Sequence, residues 1–134
     1  MTEEITLESL KQEIRREGTR KTANAHKNFP LPTRLLKDLY EQEPEAIDLQ
    51  FIACYPTSPS LLIEKIAENV QDEDILSRIA LNPRTPQLVL NRLSHNAQPN
   101  IRLAIAGNRL LSARDFESLI QDPIEFVRRA LSTN

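Results

Sequence analysis

The chain of 134 residues is poor in glycine, cysteine and aromatic residues. Its two glycines argue against folds built on tight hairpins or glycine-rich phosphate loops. A single cysteine, Cys54, excludes an internal disulfide and a multi-cysteine metal or iron–sulfur site, so we expect no metal and no cofactor. Without tryptophan, and with aromatic residues at 4 %, the chain offers no stacking platform for single-stranded nucleic acid.

Long apolar runs are also missing. No stretch approaches the roughly eighteen apolar residues that a membrane span requires. Residues 1–4 include two glutamates and no apolar signal core, so we expect a cytoplasmic protein without a membrane partner. Hydrophobic residues at 40 % and charged residues at 27 % are typical of one folded domain.

Proline is abundant instead, and six of the nine prolines recur at intervals of 26 or 27 residues. They form two series, Pro30, Pro56 and Pro83, and Pro32, Pro59 and Pro86. Apolar pairs keep the same register: Ile52-Ala53, Ile79-Ala80 and Ile105-Ala106. A shared period across several residue types indicates a repeat protein built from short helices.

Each unit is predicted to hold two helices. The first ends at an asparagine such as Asn82, which tolerates left-handed backbone and bonds to nearby amides. The second begins at Ser58-Pro59 or Thr85-Pro86, where the hydroxyl is expected to cap a free N–H and proline to occupy the first helical position.

The segment IALNPRTP at residues 79–86, followed by Leu90 and Leu93, resembles the repeat of the leucine-rich repeat variant (LRV) family. The resemblance covers about residues 49–134, and more faintly the chain from residue 22. It implies an all-α fold, a right-handed α-solenoid of 26–27-residue two-helix repeats in which α and 3₁₀ helices alternate. Some relatives carry an iron–sulfur segment, which does not carry over because Cys54 is alone and lies inside a repeat.

The predicted organisation is a capping helix followed by repeats. Apolar residues at helical spacing, from Ile5 to Ile14, predict an amphipathic N-terminal cap within residues 1–21. The repeats are assigned to residues 22–48, 49–74, 75–100 and 101–126, with a half repeat at 127–134.

Two polar ladders are predicted between the units. Asn96 precedes Arg102 by six residues, as Asp122 precedes Arg128. The planar fork of arginine suits several acceptors at a half-buried position, so we favour a structural role over a ligand site. The second ladder is an asparagine column at the turns: Asn28, Asn82, Asn108 and Asn134.

Catalytic groups are sparse. No cation flanks Cys54 in the sequence, so a packing thiol is the favoured interpretation. His26 and His95 are interpreted as surface or capping residues. We expect no enzyme, although an acid/base pair assembled by the superhelix stays open.

Charge is divided unevenly along the chain. Residues 1–74 carry nine cations and fifteen anions, a balance of −6, while residues 75–134 carry eight arginines and four acids, a balance of +4. We therefore expect a non-catalytic module that binds another protein through its superhelical surface; the alternative is nucleic-acid or phosphate binding through the arginine-rich half. The candidate contact residues are Arg78, Arg84, Arg109 and Arg129, for which the sequence indicates no structural role.

The last unit supplies one further expectation. Val127 and Leu131 are predicted to pack inward on the preceding unit, because they continue its apolar register. The outer side of this helix is expected to stay partly open, and self-association through that end is a hypothesis.

Overall fold

A computed structural model describes residues 4–133 of the chain, and these residues form ten α-helices and no strand. The helices are α1 (Leu7–Glu17), α2 (Thr19–Ala25), α3 (Thr33–Glu41), α4 (Ala46–Cys54), α5 (Ser60–Asn69), α6 (Glu73–Leu81), α7 (Gln87–Leu93), α8 (Pro99–Ala106), α9 (Ala113–Ile120) and α10 (Glu125–Leu131). The predicted all-α class is confirmed. Within residues 4–133, no helix has both the length and the apolarity to cross a bilayer.

Helix α1 begins and ends on local signals. Thr6 and Ser9 form a reciprocal capping box in which each side chain accepts a hydrogen bond from the other's backbone N–H. Gly18 ends the helix with φ +92°, a conformation that a side chain would strain. Leu10 and Ile14 are fully buried, since α1 packs against α2, α3 and α4.

The even-numbered helices pack on one another in chain order: α2 on α4, α4 on α6, α6 on α8, and α8 on α10. Helices α3, α5, α7 and α9 alternate with them along the chain. One apolar core runs through both sets, and its fully buried members include Ile52, Ile79 and Ile105, which share one register position. Val127 and Leu131 are buried on α10, which packs against α8 and α9.

The prolines that open the odd-numbered helices lie one residue earlier than predicted. Pro32, Pro59 and Pro86 are the N-cap residues of α3, α5 and α7 rather than their first helical residues. Each proline carbonyl accepts from the N–H groups three and four residues later, as in Pro59 with Leu62 and Ile63. The i→i+3 bonds of the 3₁₀ type occur here at helix ends, and all ten described helices are α-helices.

The predicted hydroxyl caps are wrong. Ser58 donates its hydroxyl to the carbonyl of Ile52 at 2.7 Å, and Thr85 donates to that of Ile79 at 2.5 Å. Both hydroxyls therefore bond backward to the end of the preceding helix, where carbonyls lack helical partners, instead of forward to the next helix. Ser112 does cap α9, because its oxygen accepts from the Asp115 N–H.

Candidate binding surfaces

Asparagine and tyrosine side chains at the ends of α4, α6 and α8 bond to the preceding even-numbered helix or the residue that caps it. Asn82 donates to the Ala53 carbonyl at 2.8 Å, and Asn108 donates to the Ala80 carbonyl at 2.7 Å. Each amide oxygen accepts a backbone N–H two residues later in the chain. Asn82 is nearly fully buried with φ −75°, so it serves through its side chain and not through left-handed backbone.

Tyr55 occupies the same register position and makes the equivalent contact with a longer side chain. Its hydroxyl donates to the His26 carbonyl at 2.9 Å and accepts from the Leu31 N–H at 2.8 Å. The ring is fully buried and stacks on Phe51. Asn28 is exposed, and Asn134 lies outside the described residues.

Both predicted arginine pairs are bonded through backbone carbonyls, and Arg102 has a further acceptor that was not predicted. Arg102 reaches the backbone carbonyl of Asn96 at 2.7 Å, not its side chain, and its other nitrogens form a two-point bond with the Asp122 carboxylate at 2.7 and 3.3 Å. Arg128 in turn donates to the Asp122 backbone carbonyl. Burial acts to raise the pKa of Asp122, but the bonds from Arg102 and from the Ile124 N–H outweigh it and the pKa is lowered.

A half-buried ion pair near the N-terminus was not predicted from the sequence. Arg15 of α1 forms a two-point bond with Asp48 of α4, with both N–O distances at 3.1 Å. The Asp48 side chain is fully buried and also accepts from the Glu45 N–H at 2.9 Å. The hydrogen bond to Asp48 is the main cause of a raised pKa for Arg15. Thirty-three residues separate the two side chains, so no local pattern links them.

The two histidines and the cysteine have structural contacts. His26 lies 2.9 Å from the Glu13 carboxylate on α1, and His95 lies 2.9 Å from the Asn91 carbonyl at the end of α7. Cys54 is partly buried and contacts the Phe51 carbonyl. Burial raises the pKa of Cys54, although the Arg78 guanidinium opposes that shift.

An edge of the molecule exposes three large leucines. Leu61, Leu88 and Leu110 are 60 %, 73 % and 53 % exposed. Two long-range bonds tie neighbouring residues of this edge together: Ser60, next to Leu61, donates to the Arg84 carbonyl at 2.7 Å, and Gln87, next to Leu88, donates to the Leu110 carbonyl at 2.6 Å. We call this surface the leucine–arginine edge; its members are Leu61, Arg84, Leu88, Arg109, Leu110 and Arg114.

A cavity lies along this edge between α7 and α9. It has a volume of about 370 Å³, and Leu88 and Arg114 both line it. Asn91 and Asp115 form its polar inner wall and are bonded to each other at 2.7 Å. The edge therefore combines apolar side chains, arginines and a recess.

A second concave surface lies on the even-numbered helices. Two cavities, of about 490 and 720 Å³, share Arg20 and Arg78 in their walls. Arg78 bridges the helices that form them: its Nη1 donates to the Thr19 hydroxyl of α2 at 2.8 Å, and its Nε donates to Asp74 of α6 at 3.2 Å. Because the even-numbered helices are the first helices of the predicted two-helix repeats, we call this surface the first-helix groove. It is lined by Thr19, Arg20, Cys54, Ser77, Arg78 and Leu81.

The four candidate contact arginines do not form one site. Arg84 and Arg109 lie in turns on the leucine–arginine edge, and Arg78 lines the first-helix groove. Arg129 lies on α10, exposed and paired with Glu125 at 3.1 Å. The expectation that all four lack a structural role is wrong for Arg78, because it ties α6 to α2.

The signals for both surfaces were partly visible in the sequence. Leu61 and Leu88 are 27 residues apart, yet a leucine at helical spacing is ordinarily assigned to the core.

Residues 4–133 contain no group of three or more acidic, histidine or cysteine side chains placed to hold a metal ion. Comparisons of the chain with family models, with curated proteins and with solved structures give no match.

Proposed function

We propose that this chain is a non-catalytic α-solenoid module of the cytoplasm, related to the LRV repeats, that binds another protein through the leucine–arginine edge. The proposed architecture is a right-handed stack of 26–27-residue repeats. It is supported by cross-unit bonds that recur at that period, from Tyr55 to His26, Asn82 to Ala53 and Asn108 to Ala80. The packing order of the even-numbered helices supports the same stack.

The observation that carries the binding function is the exposure of Leu61, Leu88 and Leu110 on one edge. Fully covering an exposed leucine side chain contributes about 1.5–3 kcal/mol. These three are already partly covered, so a partner gains part of that amount from each of them. Single exposed apolar side chains are ordinary on a folded domain, but neighbouring ones mark interaction sites. The bonds from Ser60 to Arg84 and from Gln87 to Leu110 place these leucines in neighbouring segments.

The chemistry of the edge also defines its partner. Arg84, Arg109 and Arg114 stand among the leucines, and Asp115, the acid in the adjoining recess, is buried and bonded to Asn91. The partner that complements this surface is a polypeptide segment in which leucine-like side chains alternate with carboxylates, because arginine pairs well with carboxylate at interface rims.

Selection from a displayed peptide library tests this function. We expect enriched peptides to be acidic and apolar, and to bind Leu88→Ser and Arg84→Glu variants at least tenfold more weakly than the natural chain by isothermal calorimetry. Ile120→Ser is the matched control, since Ile120 is 49 % exposed but lies at the far end of α9. Peptides that bind all four proteins equally would overturn the proposal.

Nucleic-acid or phosphate binding is the second candidate, favoured by the same three arginines at the edge. It predicts that affinity for duplex or single-stranded nucleic acid falls steeply with salt, with a log–log slope near −0.9 per phosphate contact on duplex DNA. No gel shift at low salt would remove this candidate. Light scattering at high protein concentration tests the separate hypothesis of self-association, for which the 44 % exposure of Phe126 on α10 is the relevant feature.

A further inference from the structure

The first-helix groove contains an arginine that is held in place from both sides. Asp74, one turn earlier on α6, accepts from Nε of Arg78, and Thr19 on α2 accepts from Nη1. The side chain is 26 % exposed, so it lies along the groove wall and does not extend into solvent. A guanidinium fixed in this way loses little further conformational entropy when it binds a ligand.

A second cation, Arg20, lines both cavities with Arg78. Across the part of the chain that the structure describes, no acidic side chain is within ion-pair distance of Arg20. The two acids in these walls are already engaged: Glu17 with Lys21 at 3.0 Å, and Asp74 with Arg78. The groove is thus locally positive, since Arg20, Lys21 and Arg78 line it against Glu17 and Asp74.

The remaining lining is mixed. Ala23, Pro56, Leu81 and Pro83 supply apolar surface beside the cations, and Ser77 supplies a hydroxyl donor. A volume of about 490 Å³ is within the range of sites that hold small organic ligands. Neither a bare cation nor a purely apolar molecule matches this combination of charge and surface.

We propose that the first-helix groove binds an oxyanion carried on an apolar stem, with Arg20 and Arg78 contacting the oxyanion and Leu81 contacting the stem. Carboxylate and phosphate are the oxyanions that a guanidinium fork recognises. The site is separate from the leucine–arginine edge, so it stands or falls independently of the protein-binding function.

Titration of the ¹⁵N-labelled chain by nuclear magnetic resonance tests the site, with hexanoate, hexan-1-ol and inorganic phosphate as probes. We expect hexanoate to shift the Arg20 and Arg78 side-chain Nε–Hε signals and the Ser77 amide in a saturable way. Phosphate should shift the same signals with weaker affinity, because it lacks the stem. If hexan-1-ol binds as tightly as hexanoate, the proposal is overturned, since the charge of the ligand would then contribute nothing to its affinity.

Variants separate binding from folding. Arg20→Gln is expected to weaken hexanoate binding about tenfold, the typical effect of losing one hydrogen bond to a charged group. Arg78→Lys should weaken it as well, but Arg78 also ties α2 to α6, so Arg20→Gln is the decisive variant. Arg92→Gln, on the exposed side of α7, is the matched control and should bind normally. Unchanged affinity in Arg20→Gln would refute the assignment.

The source of the oxyanion is distinguished with a pair of peptides. A short peptide that ends in leucine with a free carboxylate is compared with the same peptide amidated at that end. Tighter binding of the free form than of hexanoate assigns the groove to polypeptide C-termini. Hexanoate binding without peptide binding assigns it to small anionic molecules, and binding of neither refutes the site.

Discussion

The N-terminal and C-terminal parts of the molecule join their helices with different side chains. Around α4, the junctions depend on the Tyr55 hydroxyl and on the Arg15–Asp48 pair. From α6 onward, they depend on the Asn82 and Asn108 amides and on the Arg102–Asp122 pair. In both parts, a buried side chain donates to a backbone carbonyl 28 or 29 residues earlier in the chain.

The difference shows that the residue at this turn is selected by its ability to donate a hydrogen bond to a buried backbone carbonyl. Buried carbonyls need a donor, and either an amide or a phenol can supply one. Tyrosine also adds a large buried ring, which stacks on Phe51 in the part of the chain nearest the N-terminal helix. The substitution of Tyr55 for asparagine is therefore compatible with the same helix stacking.

Asn82→Ala should have the largest effect on this comparison. The Asn82 side chain bonds the Ala53 carbonyl, the Tyr55 carbonyl and the Arg84 N–H, so truncation leaves three groups without their partner. We expect a loss of about 3 kcal/mol in the free energy of unfolding, measured by urea denaturation. Asn100→Ala, at an exposed position of α8, should cost under about 0.5 kcal/mol. Equal effects of the two variants would contradict the stabilising role of the Asn82 side chain.

Asp122→Asn should have the second largest effect. We expect it to lower the free energy of unfolding by about 2 kcal/mol near neutral pH, because it removes the charge that bonds Arg102. The pKa of Asp122 is lower in the folded state than its ordinary value of 3.8. Its ionised form therefore stabilises the fold above that pH, and this contribution is lost as the pH falls through the folded pKa. The stability gap between the natural chain and the variant should narrow from pH 6 to pH 3 in urea titrations; a constant gap would show that the charge is irrelevant.

Tyr55→Phe should cost about 1.5 kcal/mol, since the ring still packs but the Leu31 N–H and the His26 carbonyl lose their partner. Thermal and urea unfolding measure the change. Tyr40→Phe, on a half-buried tyrosine of α3, is the control and should be nearly neutral. If the Tyr55 variant is as stable as the natural chain, the phenol is not equivalent to the asparagine amides.

The smallest effect is on the reactivity of Cys54. Burial raises the pKa of this thiol, so little thiolate forms near neutral pH. We expect iodoacetamide to alkylate the folded chain at least about tenfold more slowly than the urea-unfolded chain at pH 7.5, as followed by mass spectrometry. Equal rates would place the thiol in open solvent.

Much of the fold could be predicted from the sequence, because its signals repeat. The recurrence of prolines and of isoleucine–alanine pairs at 26 or 27 residues predicts short helices in a fixed register. The helix starts at Pro59 and Pro86 were off by one residue, and the Ser58 and Thr85 hydroxyls bond backward. Spacing alone does not distinguish an acceptor in the helix before from a donor in the helix after.

Less of the candidate sites could be predicted. Arg84 and Arg109 were identified by their charge, but the leucines beside them read as core residues at helical spacing. Arg78 was predicted to be a contact residue, but its hydrogen bond to Thr19 was not predicted, because Thr19 lies 59 residues earlier in the chain. The exposure of a side chain and its long-range hydrogen bonds depend on how each helix is rotated about its axis. That rotation cannot be predicted from residue type.

The helical class, the 26- or 27-residue recurrence of prolines and isoleucine–alanine pairs, and the uneven distribution of charge follow from residue order along the chain alone. Tertiary packing alone brings Arg102 to Asp122 and Arg15 to Asp48, and leaves Leu61, Leu88 and Leu110 exposed. Hydrogen bonds act over about 3 Å, so their partners are chosen by packing.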